Sequence, residues 1–287
     1  MTDGIGKDCA KKEAQVELHM HPNFKAYGLE DIIQVMAENN LDMIALEYLN
    51  QPVFHEVQNY LPHLRNKGYI VDTDSTVMRI EKEGNRFYIL RAIELWTRED
   101  FHILTIGSDN TKPYQSIRKM IDSAVPDSLV IFDHPFIDNH KVYQAIGKTK
   151  ERELNNICKE YHQNIALEWN GYCLDAFWQL KKILGGKHVN DEVIKLSSDL
   201  FKRGYDVPVV TDTDLHARSL HALKVVGTGR IRTELNLDSG RKIISSLKEN
   251  IFSHRYENTY RTVSFAHFAL YFAMPYFFPK WFERPRG

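Results

Sequence analysis

Val16-Glu17-Leu18-His19-Met20-His21 is the stretch on which the reading of this chain turns. Val16–His19 is a short apolar alternation of the kind that forms a β-strand, and it runs into a His-x-His pair. Alternate residues of a strand point the same way, so His19 and His21 can reach one metal ion from beyond the strand's end. Taken alone, the pair reads as well as two surface histidines. Its weight comes from what surrounds it.

Outward from that stretch, helical segments alternate with short apolar runs. Leu29, Ile32, Ile33, Val35 and Met36 recur at helical spacing and predict a helix over 28–40. Strands are expected over 42–46, 101–106, 129–132, 165–168 and 208–211, with a hairpin turning at Glu83-Gly84-Asn85. Further helices are expected over 53–67, 114–124, 150–161, 191–203 and 239–250. Strand-then-helix repetition argues for an α/β fold with parallel strands, a barrel or a doubly wound sheet. Chemistry in such folds gathers at the C-terminal ends of the strands.

The candidate ligands fall at those ends. His19 and His21 follow the first strand, Glu94 ends another, and His134 sits just past Leu129–Phe132. Glu168 ends a strand, and Asp214 and His216 follow Pro208–Thr211. His102 breaks the rule, because it opens its strand. Imidazoles with carboxylates and no thiolates suit Zn, Mn or Fe, and more than four ligands suggest more than one ion. Patterns for serine hydrolases, P-loops and dinucleotide-binding turns do not occur.

Bulk properties agree with one large domain. The chain has 287 residues, 43% hydrophobic, with 37 basic and 38 acidic side chains and a net charge of -1. Nucleic acid stays open as a partner, but charge does not indicate it. Cys9, Cys158 and Cys173 are too scattered for a disulfide framework, and a cytoplasmic setting is expected. Residues 1–14 read as a flexible arm, 15–262 as the barrel domain, and 263–287 as an aromatic-rich tail. The tail reads as a helix packed on the barrel or on a second copy in a homo-oligomer. An interfacial membrane anchor or a short span is the rival reading, and Pro275 would kink either.

Taken in order, these segments resemble the PHP (polymerase and histidinol phosphatase) superfamily. The resemblance runs through VELHMH (16–21), LDMIALEYLN (41–50), AIEL (92–95), FHILTIG (101–107), DHPF (133–136), ALEWNG (166–171), TDTDLHA (211–217) and VGTGRI (226–231). It covers roughly residues 15 to 255. It implies a distorted (β/α)7 TIM-like barrel with two divalent ions. His19, His21, Glu94 and Asp214 would hold one ion, and Glu94 would bridge to a second held with His102 and His134. His216 would belong to a third site, whose other ligands fall at Ala26 or Tyr27 and at Leu49, so no third ion is expected. Glu47 and His55 are the nearby groups that could substitute.

The resemblance implies hydrolysis of a small phosphorylated substrate or nucleotide, with Glu94 and Asp214 holding the ions that activate water. His216 would hydrogen-bond the phosphate or protonate the leaving oxygen, Arg218 would clamp phosphate, and Glu168 would orient a ligand or line the pocket. Two other readings stand beside it: a binding or regulatory module that has lost catalysis, and an amide or lactone hydrolase. Deleting residues 263–287 is expected to lower solubility or change oligomeric state, read by light scattering, with metal content unchanged. A truncated protein that stays soluble at the same mass and loses only liposome binding would identify a membrane anchor instead.

Overall fold

In the computed structural model, residues 11–261 are described, apart from 110, 125, 127, 140, 171–177 and 179–181. The tail from 263 and most of the arm lie outside them. The sheet is built from β1 (Lys12–His21), β2 (Met43–Leu46), β3 (Ile70–Thr73), β4 (Val77–Lys82), β5 (Asn85–Trp96), β6 (His102–Ile106) and β7 (Leu129–Asp133). After a small separate hairpin, β8 (Ile137–Asp138) and β9 (Lys141–Ala145), it continues with β10 (Ile165–Asn170), β11 (Val209–Asp212), β12 (Leu215–His216), β13 (Gly229–Leu235) and β14 (Tyr256–Tyr260). Its main path runs β11-β10-β7-β6-β5-β2-β1-β13-β14. The result is a mixed α/β, nearly closed barrel.

The sheet is not all parallel. β1, β2 and β5 run together, as do β7, β10 and β11, but β6 lies antiparallel to both of its neighbours. This removes the anomaly at His102. The first residue of an inverted strand lies at the same end of the barrel as the last residues of its neighbours, so His102 opens its strand and still faces the mouth.

Closure is shared between backbone and side chains. At the mouth, β12 pairs in parallel with β1, setting His21 against His216 in register. Below that, β13 and β14 lie beside β11 without a continuous ladder. There, Tyr256 Oη and Asn258 Nδ2 donate to Val209 O (2.8 and 2.7 Å), and Thr211 N donates to Asn258 Oδ1 (3.0 Å). Gly229 is required at this seam, because a Cβ there would sit 2.1 Å from the carbonyl oxygen of Asp212. β13 and β14 are additions to the elements read from sequence, and β1 begins at Lys12, inside the stretch read as an arm.

The barrel interior is layered. Val16, Leu18, Met43, Ala45, Leu90, Ala92, Leu104, Ile106, Leu129, Ile131, Ala166 and Val210 fill its lower part. The helix Gly240–Phe252 closes the floor with Ile243, Ile244, Leu247 and Ile251. Ser239 caps this helix by accepting from Lys242 N, and Asp74 accepts from Gly240 N (2.8 Å). Two further apolar clusters bury the outer face of the sheet under the surrounding helices. The segment 53–67, read as one helix, divides into Phe54–Gln58 and Leu61–Asn66. No helix among the described residues is long and apolar enough to cross a membrane.

Leu247 is fully buried in the floor. Leu247→Ala should therefore destabilise the fold by roughly 2–5 kcal/mol, measured by denaturant unfolding. A loss well below this range would show that the helix does not plug the barrel.

Candidate metal centre

The polar end of the barrel follows from the same alternation that fills its floor. On β2 the inward series Met43, Ala45 continues to Glu47; on β5, Leu90, Ala92 continues to Glu94. On β7, Leu129, Ile131 leads to Asp133; on β10, Ala166 leads to Glu168 and Asn170; on β11, Val210 leads to Asp212. The inverted β6 gives Ile106, Leu104, His102. β1 needs one correction of phase. Val16 and Leu18 point inward, whereas Met20 packs with the outer cluster. A register shift between Glu17 and Met20 against β2 turns His19 and His21 inward.

His19 Nε2 and His21 Nε2 lie 3.0 Å apart. Glu94 Oε2 is 3.2 Å from His21 Nε2, and Asp214 Oδ1 is 3.5 Å from His19 Nε2 and 3.6 Å from His21 Nε2. On the other side of Glu94, its Oε1 contacts His102 Nδ1. Asp133 Oδ2 lies 3.7 Å from that nitrogen and 3.1 Å from His134 Nε2. Asp214 Oδ1 also lies 3.2 Å from His216 Nδ1, and the His216 ring is 4.0 Å from that of His21. Two candidate ligands sit on strained backbone, His134 at φ 25° and Asp214 at φ 46°.

Glu168 organises this cluster from behind. Its Oε1 is 2.7 Å from His19 Nδ1, and its Oε2 accepts from His134 N (2.8 Å) and Asn170 Nδ2 (3.1 Å). Asn170 Nδ2 also donates to Asp214 (2.8 Å). Glu17, which resembles the acidic position of the opening motif, faces away from the ligands. It accepts from Thr213 N and Gly227 N, tying the first strand to the segments that follow β11.

Burial sets the electrostatics. It drives the carboxyls of Glu47, Asp133 and Asp212 well above their ordinary range, and neighbouring carboxylates add to the shift. Burial acts the same way on Glu94, Glu168 and Asp214 but is outweighed. His102 and His21 hold Glu94 well below its usual value, His19 brings Glu168 to about 2, and His19 and His216 pull Asp214 down. Burial, reinforced by His216, lowers His21 to about 4. Burial also opposes charge on His216, yet Asp214 raises it.

The donor set fits divalent cations. Glu94, His102, Asp133 and His134 form one group with ligand atoms within 4.8 Å of each other, and His19, His21 and Glu94 form a second that shares Glu94. Two further groups of three, His21-Asp214-His216 and His19-Asp133-Glu168, border them. Both oxygens of Asp133 and Oδ1 of Asp214 are buried without a hydrogen-bond partner. Such atoms are costly unless a cation meets them.

The structure thus gathers His19, His21, Glu94, His102, His134, Asp214, Glu168 and His216 at one mouth. Arg218 is different. It is exposed, takes part in none of the ligand groups, and its carbonyl accepts from Asn23 Nδ2 (3.4 Å). His55 is exposed on a short outer helix beside Gln58. Glu47 is buried, accepts from Met20 N and lies 3.7 Å from His19. Asp133 and Asp212 are the residues that motif reading passed over. The alternation of inward positions along β7 and β11 carries the signal for both.

No protein-family model matches the sequence, and no curated protein matches it either. Solved structures similar to it include the lesion-specific endonuclease Q from Pyrococcus furiosus, 14% identical over 84% of this chain and 56% of that one, with a TM-score of 0.49. Another is endonuclease Q in complex with a 27-mer duplex carrying an abasic lesion at the active site (12% identity, 86% and 58% coverage, TM-score 0.43). A third is a two-domain protein from Bacteroides vulgatus containing a PHP-like metal-dependent phosphoesterase (12% identity, 88% and 66% coverage, TM-score 0.42). The chain spans little more than half the length of the two endonuclease chains.

Glu94 is the residue common to the four-residue group and to the group of His19 and His21. Protein purified without chelator should carry about two divalent ions per chain, and Glu94→Ala should lose both. Asp133→Asn should lose the ion on the His102 side and keep the other. Elemental analysis of the three proteins checks this, and an unchanged metal content in the Glu94 variant would overturn the assignment.

Proposed function

We propose that the chain is a metal-dependent phosphoesterase whose ions are held by His19, His21, Glu94 and Asp214 on one side and by Glu94, His102, Asp133 and His134 on the other. The observation that carries this reading is the shared Glu94 between two adjoining ligand groups, in a mouth where both oxygens of Asp133 and Oδ1 of Asp214 are buried without a hydrogen-bond partner. Bound divalent ions supply Lewis acidity there, neutralising phosphoryl charge and making water more acidic.

The chain's own residues do the rest. Glu168 fixes the His19 ring by accepting from Nδ1, so that Nε2 faces the cluster, and it holds the backbone at His134. Asp214 braces His216 through Nδ1 and favours its protonated form. The His216 side chain is 43% exposed, far more than the other histidines of the cluster. It is therefore placed to meet substrate and give a proton to the leaving oxygen. Arg218, exposed two residues on, is placed to attract phosphate from solvent. Substrates are small phosphoesters or nucleotides, with nucleic-acid ends as a larger form of the same chemistry.

One observation favours a second reading, a metal-binding module without catalysis. Leu49, at the position of the family's third-site histidine, pairs through its backbone with Glu94 and brings no ligand. A panel of phosphomonoesters and diesters assayed with added Mn²⁺ or Zn²⁺ separates the two. Hydrolysis should vanish with chelator, return with metal, and fall by about 10³-fold or more in Glu94→Gln, the scale expected when charge stabilisation at the reacting centre is lost. His216→Ala should cost roughly 10²–10⁴-fold with metal content intact. Metal-loaded protein that turns over no member of the panel would leave the module reading standing.

A further inference from the structure

Asn170 is the last residue of β10, and Asn190 stands in the first turn of the helix Val189–Phe201, 20 positions later. Both are buried, at 2% and 4% exposure. A buried amide is costly unless its donor and acceptor are both met, and asparagine is a weak helix former. Neither packing nor propensity accounts for the pair.

The backbone of β10 shows what Asn190 does. Leu167 N donates to Pro208 O (2.8 Å), toward β11. By the alternation of a strand, the backbone polar groups of Asn170, three residues on, face the other way, toward β7. Pairing with β7 stops at Leu167 and Phe132, so that ladder does not extend to them. Asn190 fills the place. Its Nδ2 donates to Asn170 O (2.9 Å) and its Oδ1 accepts from Asn170 N (3.3 Å), the two bonds a neighbouring strand would have made. With its backbone gripped at both ends, Asn170 aims its own amide into the cluster, where Nδ2 donates to Glu168 Oε2 (3.1 Å) and Asp214 Oδ2 (2.8 Å). Asp214 has left-handed backbone at φ 46° and lies between β11 and β12, so a side-chain bond rather than a ladder orients its carboxylate. Oδ2 turns to the amide. Oδ1, which has no hydrogen-bond partner, turns to His19 and His21 (3.5 and 3.6 Å).

We propose that Asn190 is a positioning residue for the metal centre: by gripping the backbone of Asn170, it sets the amide that presents Asp214 through one oxygen to the ion of the His19–His21 side. This rests on the metal-centre reading above and makes a residue outside every ligand group a determinant of it. A carboxylate free to turn can offer both oxygens to one cation. Asn170 holds one of them back, which leaves a coordination position for water or a phosphoryl oxygen. The same amide steadies Glu168 behind His19. The His102 side is reached only through Glu168, which holds the His134 backbone by a separate bond. The effect therefore falls on the His19–His21 side.

The test titrates metal-free protein with Co²⁺, whose visible absorption weakens as its coordination number rises. Wild type should take up about two equivalents. Asp133→Asn, which should keep only the ion of the His19–His21 side, assigns that ion. Asn190→Ala should weaken its binding by roughly 10–100-fold, the scale of a lost partner behind a metal ligand, and change the other ion's affinity less than about threefold. Its Co²⁺ bands should lose intensity as Asp214 becomes a two-oxygen ligand. Asn170→Ala, which removes the amide and leaves the backbone grip, should do the same and carries the test if Asn190→Ala folds poorly. The double variant should bind no more weakly than either single one, because both remove the same relay. Wild-type affinity and spectrum in folded Asn190→Ala, equal losses at both ions, or additive losses in the double variant would overturn the positioning role and leave the metal centre standing. Wild type that binds no Co²⁺ would overturn the centre and this role with it.

Discussion

A carboxylate buried in an apolar barrel must find a donor or a cation, and the polar end of this barrel is arranged around that demand. The lower interior is aliphatic and closed by the helix Gly240–Phe252, so nothing there competes for charge. Above it, Glu47, Glu94, Asp133, Glu168, Asp212 and Asp214 are brought together by the pleat of successive strands. Some of their charge is met by histidine, as where His102 and His21 pull Glu94 down. Some is met by backbone donors, as at Glu47 and Glu168. What remains is concentrated on the two oxygens of Asp133 and on Oδ1 of Asp214, which no hydrogen bond satisfies. Divalent cations would answer that remainder, whereas a lone lysine would not. The apparent excess of acid is thus a property of the site and not a packing defect.

This demand explains where reading the sequence succeeds and where it stops. Imidazoles and carboxylates at strand ends are visible because apolar runs announce the strands, so His19, His21, Glu94, His134 and Asp214 stand out. Strand direction is not visible in that way. The run Phe101–Ile106 reads the same forwards and backwards in its alternation, and only its pairing against β5 and β7 shows why His102 opens it. The β1 bulge is equally silent, since a single extra residue changes phase without changing composition. β13 and β14 are hidden for another reason. Their sequences, GRIRTEL and YENTY, are mostly polar because one face meets solvent and the seam to β11 is made by side chains. Asp133 and Asp212 could have been found by counting inward positions from Leu129 and Val210, a count that needs the strand's facing to be known first.

Backbone strain is distributed in a way that agrees with this division. Among the described residues, the non-glycine positions with left-handed backbone are Asn40, Asn50, Glu83, Asp100, Tyr114, His134, Asp214 and His254. Asn40 and His254 follow helix ends and Glu83 sits in a hairpin turn, where such backbone is ordinary. Asn50 and Asp100 lie in tight turns closed by the Tyr48–Gln51 bridge and by the hydrogen bonds between Thr97 and Phe101. The positions that local turn chemistry does not explain are therefore His134 and Asp214, both candidate ligands, and Tyr114.

The stretch Glu47-Tyr48-Leu49-Asn50 shows how one segment can exchange ligands for scaffold. Where the resemblance calls for third-site chemistry, Glu47 turns back to the Met20 N–H and Leu49 joins Glu94 by a backbone bridge. Asn50 then spends both ends of its amide on the rim, one on Trp96 N and the other on Tyr114 Oη. In this segment the side chains serve the scaffold rather than a cation. A third ion would contribute to holding a phosphate, and its loss weakens that hold unless another part of the substrate is bound instead.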